Sequence, residues 1–373
     1  MKSFVLVLLI TPIILCSQQK TLIGKVKSTR EKLYFVTDSI QNYKLFNNDG
    51  DYGHSGFTNP QGTVDRFYDN WFNEVFVHYI NNKKFYNEKG LLKSEDWFYK
   101  NDKQCASYEY KYTDFDSLCR ITKKYDNVDY YISNISYNHK KFIQSKLNYW
   151  TNNCENFSLK IFYYNEKYNL IGEEFLTQEG KQKEVYYTLN KLGLQDKTIL
   201  HKPTIWAKYD SVSYYEKKDS IGTYFTSLKK YFNQKKQIIK SESFFPPDYD
   251  SEGGLSETKY FEYDERGNCI ETRLNFASNP NIIYVQSKEY DRINRKIKEE
   301  NKTLNSTNTF DYKKEFFYND KGELYKLIVK SSSEKEIVVQ FEYKYDSYNN
   351  WIEQSKFVNG KKLFIWKREI DYY

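Results

Sequence analysis

The histidines are the first place to look for chemistry, and their spacing argues against it. His54, His78, His139 and His201 show no H-x-x-x-H or H-E-x-x-H arrangement, the spacing that brings two imidazoles onto one face of a helix around zinc. Gly53-His54-Ser55-Gly56 sets a serine in a glycine-rich turn but lacks the full G-x-S-x-G and its strand-to-helix frame, so it reads as plain loop. No P-loop and no G-x-G-x-x-G occurs, which argues against nucleotide cofactors. Asp248, Asp250 and Glu252, followed by Gly253, alternate like the opening of a calcium loop, yet Lys259 stands where the bidentate Glu belongs. An ordinary acidic loop is the better reading. Paired carboxylates for glycoside cleavage meet only in space and are invisible at this level. Trp97, Trp206, Trp351 and Trp366 are candidates for stacking on sugar faces, although core packing is the commoner use of each. These residues point to a non-catalytic protein, with no catalytic, cofactor-binding or metal residue assigned and no cofactor.

What the chain repeats is structural. An aromatic residue, then Asp or Asn, then a turn recurs with anchors at Asn47, Asn87, Asp116, Asn138, Asn165, Asn190, Asn233, Asp264, Asp291, Asn319 and Asp346, with Leu189 in the aromatic place before Asn190. From Asn233 onward the anchors are 31, 27, 28 and 27 residues apart, a period that marks stacked units rather than a compact enzyme. Glycine is scarce, yet Gly50, Gly90, Gly193, Gly267 and Gly322 all fall three positions after an anchor, with Asn294 and Asn349 in the same place. An Asx side chain caps the backbone two residues on, and a residue that tolerates positive φ closes the hairpin. Each motif is therefore predicted to be a hairpin tip, with Tyr209-Asp210 a weaker one. The alternation of Val339, Phe341, Tyr343 and Tyr345 with Val338, Gln340, Glu342 and Lys344 has the period of a strand with one wetter face.

The fold expected is all-β: an antiparallel β-hairpin repeat array forming an extended, twisted or curled sheet, as a solenoid or open shell. Two segments interrupt it. Residues 50–62 are rich in Gly, Asn and Asp, and lead into apolar doublets from Val64 to Tyr79 whose helical spacing allows one helix near residues 63–80. Phe244 to Gly254 contains Pro246-Pro247 and must leave the sheet as a loop.

The segments Tyr263-Asp264-Glu265-Arg266-Gly267-Asn268, Phe115-Asp116-Ser117-Leu118-Cys119-Arg120-Ile121 and Tyr345-Asp346-Ser347-Tyr348-Asn349-Asn350-Trp351-Ile352 resemble the YD repeats of the Rhs-like family. The resemblance implies a spiralling β-hairpin repeat in extracellular or envelope proteins that bind carbohydrate or encase a toxin. This chain is far shorter than shell-forming members, without the family's core segment or a toxin domain. Phe85-Tyr86-Asn87-Glu88-Lys89-Gly90 also resembles variant MORN repeats of immunity-type proteins.

The start of the chain, Lys2 followed by an apolar run from Phe4 to Leu15 and then Cys16-Ser17-Gln18-Gln19, reads as a signal peptide over 1–18. Residues 19–373 then form a single repeat domain. Cys16 is placed for a lipid anchor, but Leu15 occupies the position that wants a small residue, so cleavage after Ser17 or Gln18 is preferred. No membrane span is expected. The net charge of +7 is spread as Lys and Arg alternating with Asp and Glu, a solvated strand face rather than a nucleic-acid surface. Cys105, Cys119, Cys154 and Cys269 remain after export, with spacing that dictates no pairing. The combined reading is an exported repeat protein of the periplasm, cell surface or exterior that binds a glycan or protein surface. The alternatives are an immunity or antitoxin-like protein with a toxin partner, and a divergent hydrolase.

Overall fold

The computed structural model describes residues 22–36, 39–40, 43–44, 80–98, 102–125, 128–151, 153–178, 180–210, 213–245, 254–306, 311–332 and 335–373. The strands are β1 (Val26–Phe35), β2 (Ser39–Ile40), β3 (Tyr43–Lys44), β4 (Asn81–Tyr86), β5 (Leu92–Phe98), β6 (Gln104–Tyr112), β7 (Leu118–Tyr125) and β8 (Val128–Tyr137). They continue with β9 (Ile143–Trp150), β10 (Asn153–Tyr164), β11 (Leu170–Thr177), β12 (Gly180–Leu189), β13 (Gln195–Asp210), β14 (Ser213–Phe232), β15 (Ile238–Phe245) and β16 (Gly254–Tyr263). The last are β17 (Cys269–Phe276), β18 (Ile283–Tyr290), β19 (Lys296–Leu304), β20 (Tyr312–Tyr318), β21 (Leu324–Ser331), β22 (Ile337–Tyr345), β23 (Trp351–Val358) and β24 (Lys361–Tyr372). Among the described residues there is no helix. The helix expected near 63–80 falls outside them save for Ile80, as do Asn47, residues 50–62 and the leader with Cys16.

Among the described residues the predicted tips are reversals of the chain. At ten places the anchor N–H donates to the carbonyl four residues on, while the N–H three residues on donates back to the anchor carbonyl, as in Asn319 with Glu323 and Gly322, both at 2.9 Å. The anchor side chain completes the turn: Asn319 Oδ1 accepts from the amides of Lys321 (3.0 Å) and Glu323 (2.9 Å), and Asn87 Oδ1 from those of Lys89 and Leu91 (both 3.0 Å). The third position takes positive φ throughout, at Gly90, Gly193, Gly267 and Gly322, and also at Asp116, Lys141, Tyr168, Lys236, Asn294 and Asn349.

One anchor was misplaced. Asp116 is itself the left-handed residue, with φ of 60°, and Thr113 holds the anchor position, its Oγ1 accepting from the Ser117 amide at 3.2 Å. A threonine hydroxyl substitutes for the Asx oxygen there, so the aromatic-Asx spelling falls on the wrong pair. Tyr209-Asp210 ends β13, which pairs with β14 through Asp210 opposite Ser213. Phe244 and Phe245 belong to β15 and Gly254 to β16, not to the loop expected there, and residues 246–253 lie outside the described residues.

Each strand from β4 to β24 pairs antiparallel with the next, and β1 pairs with β24 on one edge and β4 on the other. The ladder therefore returns to its start, the hydrogen-bonding order of a closed barrel of 22 strands. This corrects the open solenoid or shell. Hairpins alone leave an edge at each end of the array, and β1, which carries no tip motif, fills that gap and removes both edges.

The chain divides into two compact units, Met1–Ala106 with Glu342–Lys356 and Lys362–Tyr373, and Ser107–Phe341 with Phe357–Lys361. The first unit has a dense core of Leu33, Ile80, Trp97, Trp351, Leu363, Phe364 and Trp366. In it Arg368 Nε pairs with Glu31 Oε1 at 2.8 Å, both side chains about 5% exposed or less, and the guanidinium lies 3.6 Å from the Trp351 ring centroid. In the second unit most strand side chains are half-buried, with a drier strip at Phe316, Leu327, Val329 and Val339. Low mean hydropathy, −0.84, matches a sheet wetted in part on its faces.

Candidate functional site

The tyrosine before five of the anchors has a positional job. In the second unit the hydroxyls of Tyr137, Tyr164, Tyr263, Tyr290 and Tyr318 donate to the carbonyls of Leu118, Ile143, Ile238, Cys269 and Lys296, at 2.6, 2.9, 2.9, 3.3 and 2.8 Å. Each acceptor is the first residue of the strand leaving the preceding tip. These five tyrosines thus each tie a tip to the one before it and are consumed by the scaffold. Burial raises all five phenol pKa values, Tyr318 to about 12. Hydrogen bonding by Asn268 likewise holds the Asp264 carboxyl below its usual range.

Residues at even offsets before the anchor point to the opposite face, and there exposed aromatics gather. In the second unit Tyr231 lies opposite Lys240, Lys240 opposite Tyr260 and Tyr260 opposite Arg273, along four successive strands. Lys240 Nζ is 5.3 Å from the Tyr231 ring centroid and 5.6 Å from that of Tyr260. Both rings are more than 40% exposed. Lys240 and the Tyr231 hydroxyl converge on Glu242, at 2.7 and 2.9 Å. These bonds hold the carboxyl pKa down and the lysine pKa up. A second row sets Tyr163 and Tyr186 opposite Gly172 from its two sides. Both are exposed, with hydroxyls on Glu174 (2.8 Å) and Glu184 (3.0 Å). At Gly172 an added Cβ would meet the Val185 carbonyl oxygen at 3.1 Å and the Tyr163 ring at 3.7 Å, so the glycine lets the Tyr163 ring lie close over the strand.

The tryptophans chosen from the sequence do not form such a surface. Trp97, Trp351 and Trp366 are buried in the first unit, with Trp351 and Trp366 edge to face at 5.3 Å. The side chain of Trp206 lies outside the described residues, as do those of His201, Cys105 and Cys154, and so do His54, His78, the Gly53–Gly56 turn and Asp248, Asp250, Glu252 and Gly253. Lys259 is in β16, paired with Glu257 at 2.7 Å. His139 contacts the Tyr168 hydroxyl at 3.2 Å. Cys119 and Cys269 are free thiols. Among the described residues no cluster of His, Cys, Asp or Glu has the makings of a metal site. The exposed tyrosine rows were missed because tyrosine is everywhere in this chain. Offset from the anchor, one for the tied tyrosines and two or four for these exposed ones, is the signal that separates them.

No family model matches the chain, and no curated protein matches it. Among solved structures it is similar to the Tc toxin complex TcdB2-TccC3-TEV, with a TM-score of 0.42 and 10% identity over 77% of this chain and 15% of that one. It is also similar to the Photorhabdus luminescens Tc holotoxin pore, with a TM-score of 0.41 and 11% identity over 74% and 14%. A porin-like protein from Bacteroides uniformis matches over 94% and 99% of the two chains, at a TM-score of 0.24 and 9% identity. The chain spans about 15% of the length of the Tc toxin chain it matches first.

Proposed function

We propose that this protein is a non-catalytic YD-repeat protein, exported to the bacterial envelope or exterior, whose aromatic-rich sheet binds a glycan. The observation that carries this reading is the row of Tyr231, Lys240, Tyr260 and Arg273, which sets exposed rings and charged hydrogen-bonding groups side by side on one sheet face. Rings pack on the C–H faces of sugars while flanking charges and carboxylates bond their hydroxyls. Strand β19 is unsuited to lipid. On β19, Lys298, Glu300 and Lys302 alternate with Glu299 and Asn301, so both faces carry charge at mid-strand. Each such cation costs about 2–4 kcal/mol at a bilayer midplane.

A glycan panel probed with the mature protein and with the Tyr231→Ala/Tyr260→Ala double variant tests the reading. A glycan retained by the parent and lost by the variant, at unchanged melting temperature, is the expected result. Silence of the parent across a broad panel removes the proposal.

A further inference from the structure

In the first unit, the face of β1 that turns away from Glu31 and Leu33 carries Arg30, Lys32 and Tyr34. Lys32 stands directly opposite Lys367 of β24, a like-charge cross-strand pair that costs stability unless something neutralises it. Both ammonium groups lie against one ring: Lys32 Nζ is 5.7 Å and Lys367 Nζ 5.5 Å from the Tyr34 centroid. That ring is 41% exposed. Acidic groups here are few. Asp102 alone takes Lys32 at 2.6 Å, Arg30 at 3.0 Å and the Asn81 amide at 3.0 Å. Its carboxyl pKa is lowered, chiefly by the Lys32 bond. Glu353 is engaged by Lys344 at 2.8 Å, with Lys367 and Lys362 further off, and Glu369 stands opposite Arg30. Lys367 forms no ion pair among the described residues, and Lys344 is 71% exposed. The strip from Lys344 through Lys367 to Lys32 therefore has more cations than carboxylates, gathered beside an exposed aromatic ring.

We propose that this face binds an acidic polysaccharide, with carboxylate or sulfate groups bridging Lys32 and Lys367 beside the Tyr34 ring. This rests on the glycan-binding reading and names its ligand class. Cation–π contact fixes the two ammonium groups before a ligand arrives, and an acidic sugar supplies both a counter-charge for Lys367, since Lys32 already holds Asp102, and an apolar face for the ring. Tyr34 acts by positioning the lysines as well as by contact.

The test is affinity electrophoresis of the mature protein in gels containing polygalacturonate, dextran sulfate or neutral dextran, with a single-stranded oligonucleotide as competitor. Retardation by either acidic polymer and not by dextran is expected. In Lys367→Gln the affinity should fall roughly tenfold, the loss of one charged hydrogen bond, and its salt dependence should weaken. Tyr34→Phe should bind as the parent does and Tyr34→Ala should bind less, all at parental melting temperatures. Retardation by dextran that Lys367→Gln leaves unchanged overturns the acidic-ligand assignment while the glycan reading stands. Release of the acidic polymer by equimolar oligonucleotide overturns it in favour of a general polyanion surface. If no polymer retards the folded protein, this inference falls, while the glycan reading is decided by the broad panel and the Tyr231→Ala/Tyr260→Ala variant.

Discussion

A lysine in left-handed conformation is the clearest residue-scale cost in the molecule. Lys236 has φ of 64° and Lys141 of 67°, where an L side chain crowds its own backbone by about 1–2 kcal/mol. Lys141 recovers some of this by lying 4.9 Å from the Phe115 ring. Lys236→Gly should therefore raise stability by about 1 kcal/mol, read as a higher urea midpoint at unchanged slope, and Lys141→Gly should gain less. A Lys236→Gly midpoint at or below the parent's would show that the turn is unstrained. The glycine tips were legible because only glycine advertises positive φ, whereas lysine, tyrosine and aspartate at the same place look like any surface residue. The tied tyrosines give a pH prediction. Folding raises the Tyr318 pKa to about 12, so its stabilisation is complete below the unfolded value of about 10 and is lost as pH climbs through about 12. Tyr137, Tyr164, Tyr263 and Tyr290 shift in the same direction. Ultraviolet titration should show a set of phenols that ionise only as the fold is lost, and early, reversible ionisation of every tyrosine would contradict the tip-to-tip bonds.

At the scale of elements, alternation along a strand was readable but the destination of each face was not. The period of two in β22 is borne out, with Ile337, Val339 and Phe341 buried and Gln340 and Glu342 exposed. Trp351 and Trp366 carry no mark in the sequence to tell a sugar platform from a core ring. Their neighbours decide it, because β24 lies against β1 and sets Trp366 opposite Leu33 and Arg368 opposite Glu31. The Glu31–Arg368 pair gives a prediction at this scale. Arg368→Met alone leaves a carboxylate buried without its partner and should cost about 3–5 kcal/mol. The joint replacement Glu31→Met/Arg368→Met should recover most of that loss, measured as a double-mutant cycle in denaturant. Equal losses for the single and double variants would mean that the pair is held by packing, not charge.

For the whole molecule, the consequential feature is where the two ends of the described chain lie. Within the first unit the Tyr373 amide donates to the Lys25 carbonyl at 2.9 Å, the Ile23 amide donates to Asn350 Oδ1 at 2.7 Å, and the Tyr373 hydroxyl donates to the Tyr86 carbonyl at 2.7 Å. A short linker from Tyr373 to Lys25, with new ends opened between Lys321 and Gly322 at an exposed tip, should give a permutant with parental circular dichroism and a cooperative melt. Failure of that permutant to fold, with the same cut tolerated in a chain whose original ends are left unlinked, would refute the β1–β24 pairing.

The sequence by itself determined the local grammar: all-β strands, hairpin tips at Asx anchors, glycine where the backbone must turn left-handed, and a partly wet sheet. Those properties depend on side chains within a few residues of one another, so composition and spacing carry them. Tertiary structure alone decided that β1 fills the last place between β24 and β4, that the tryptophans pack inward, and that Lys32 meets Lys367 beside Tyr34. Each joins residues hundreds of positions apart, and no local pattern records which strand edge another will find.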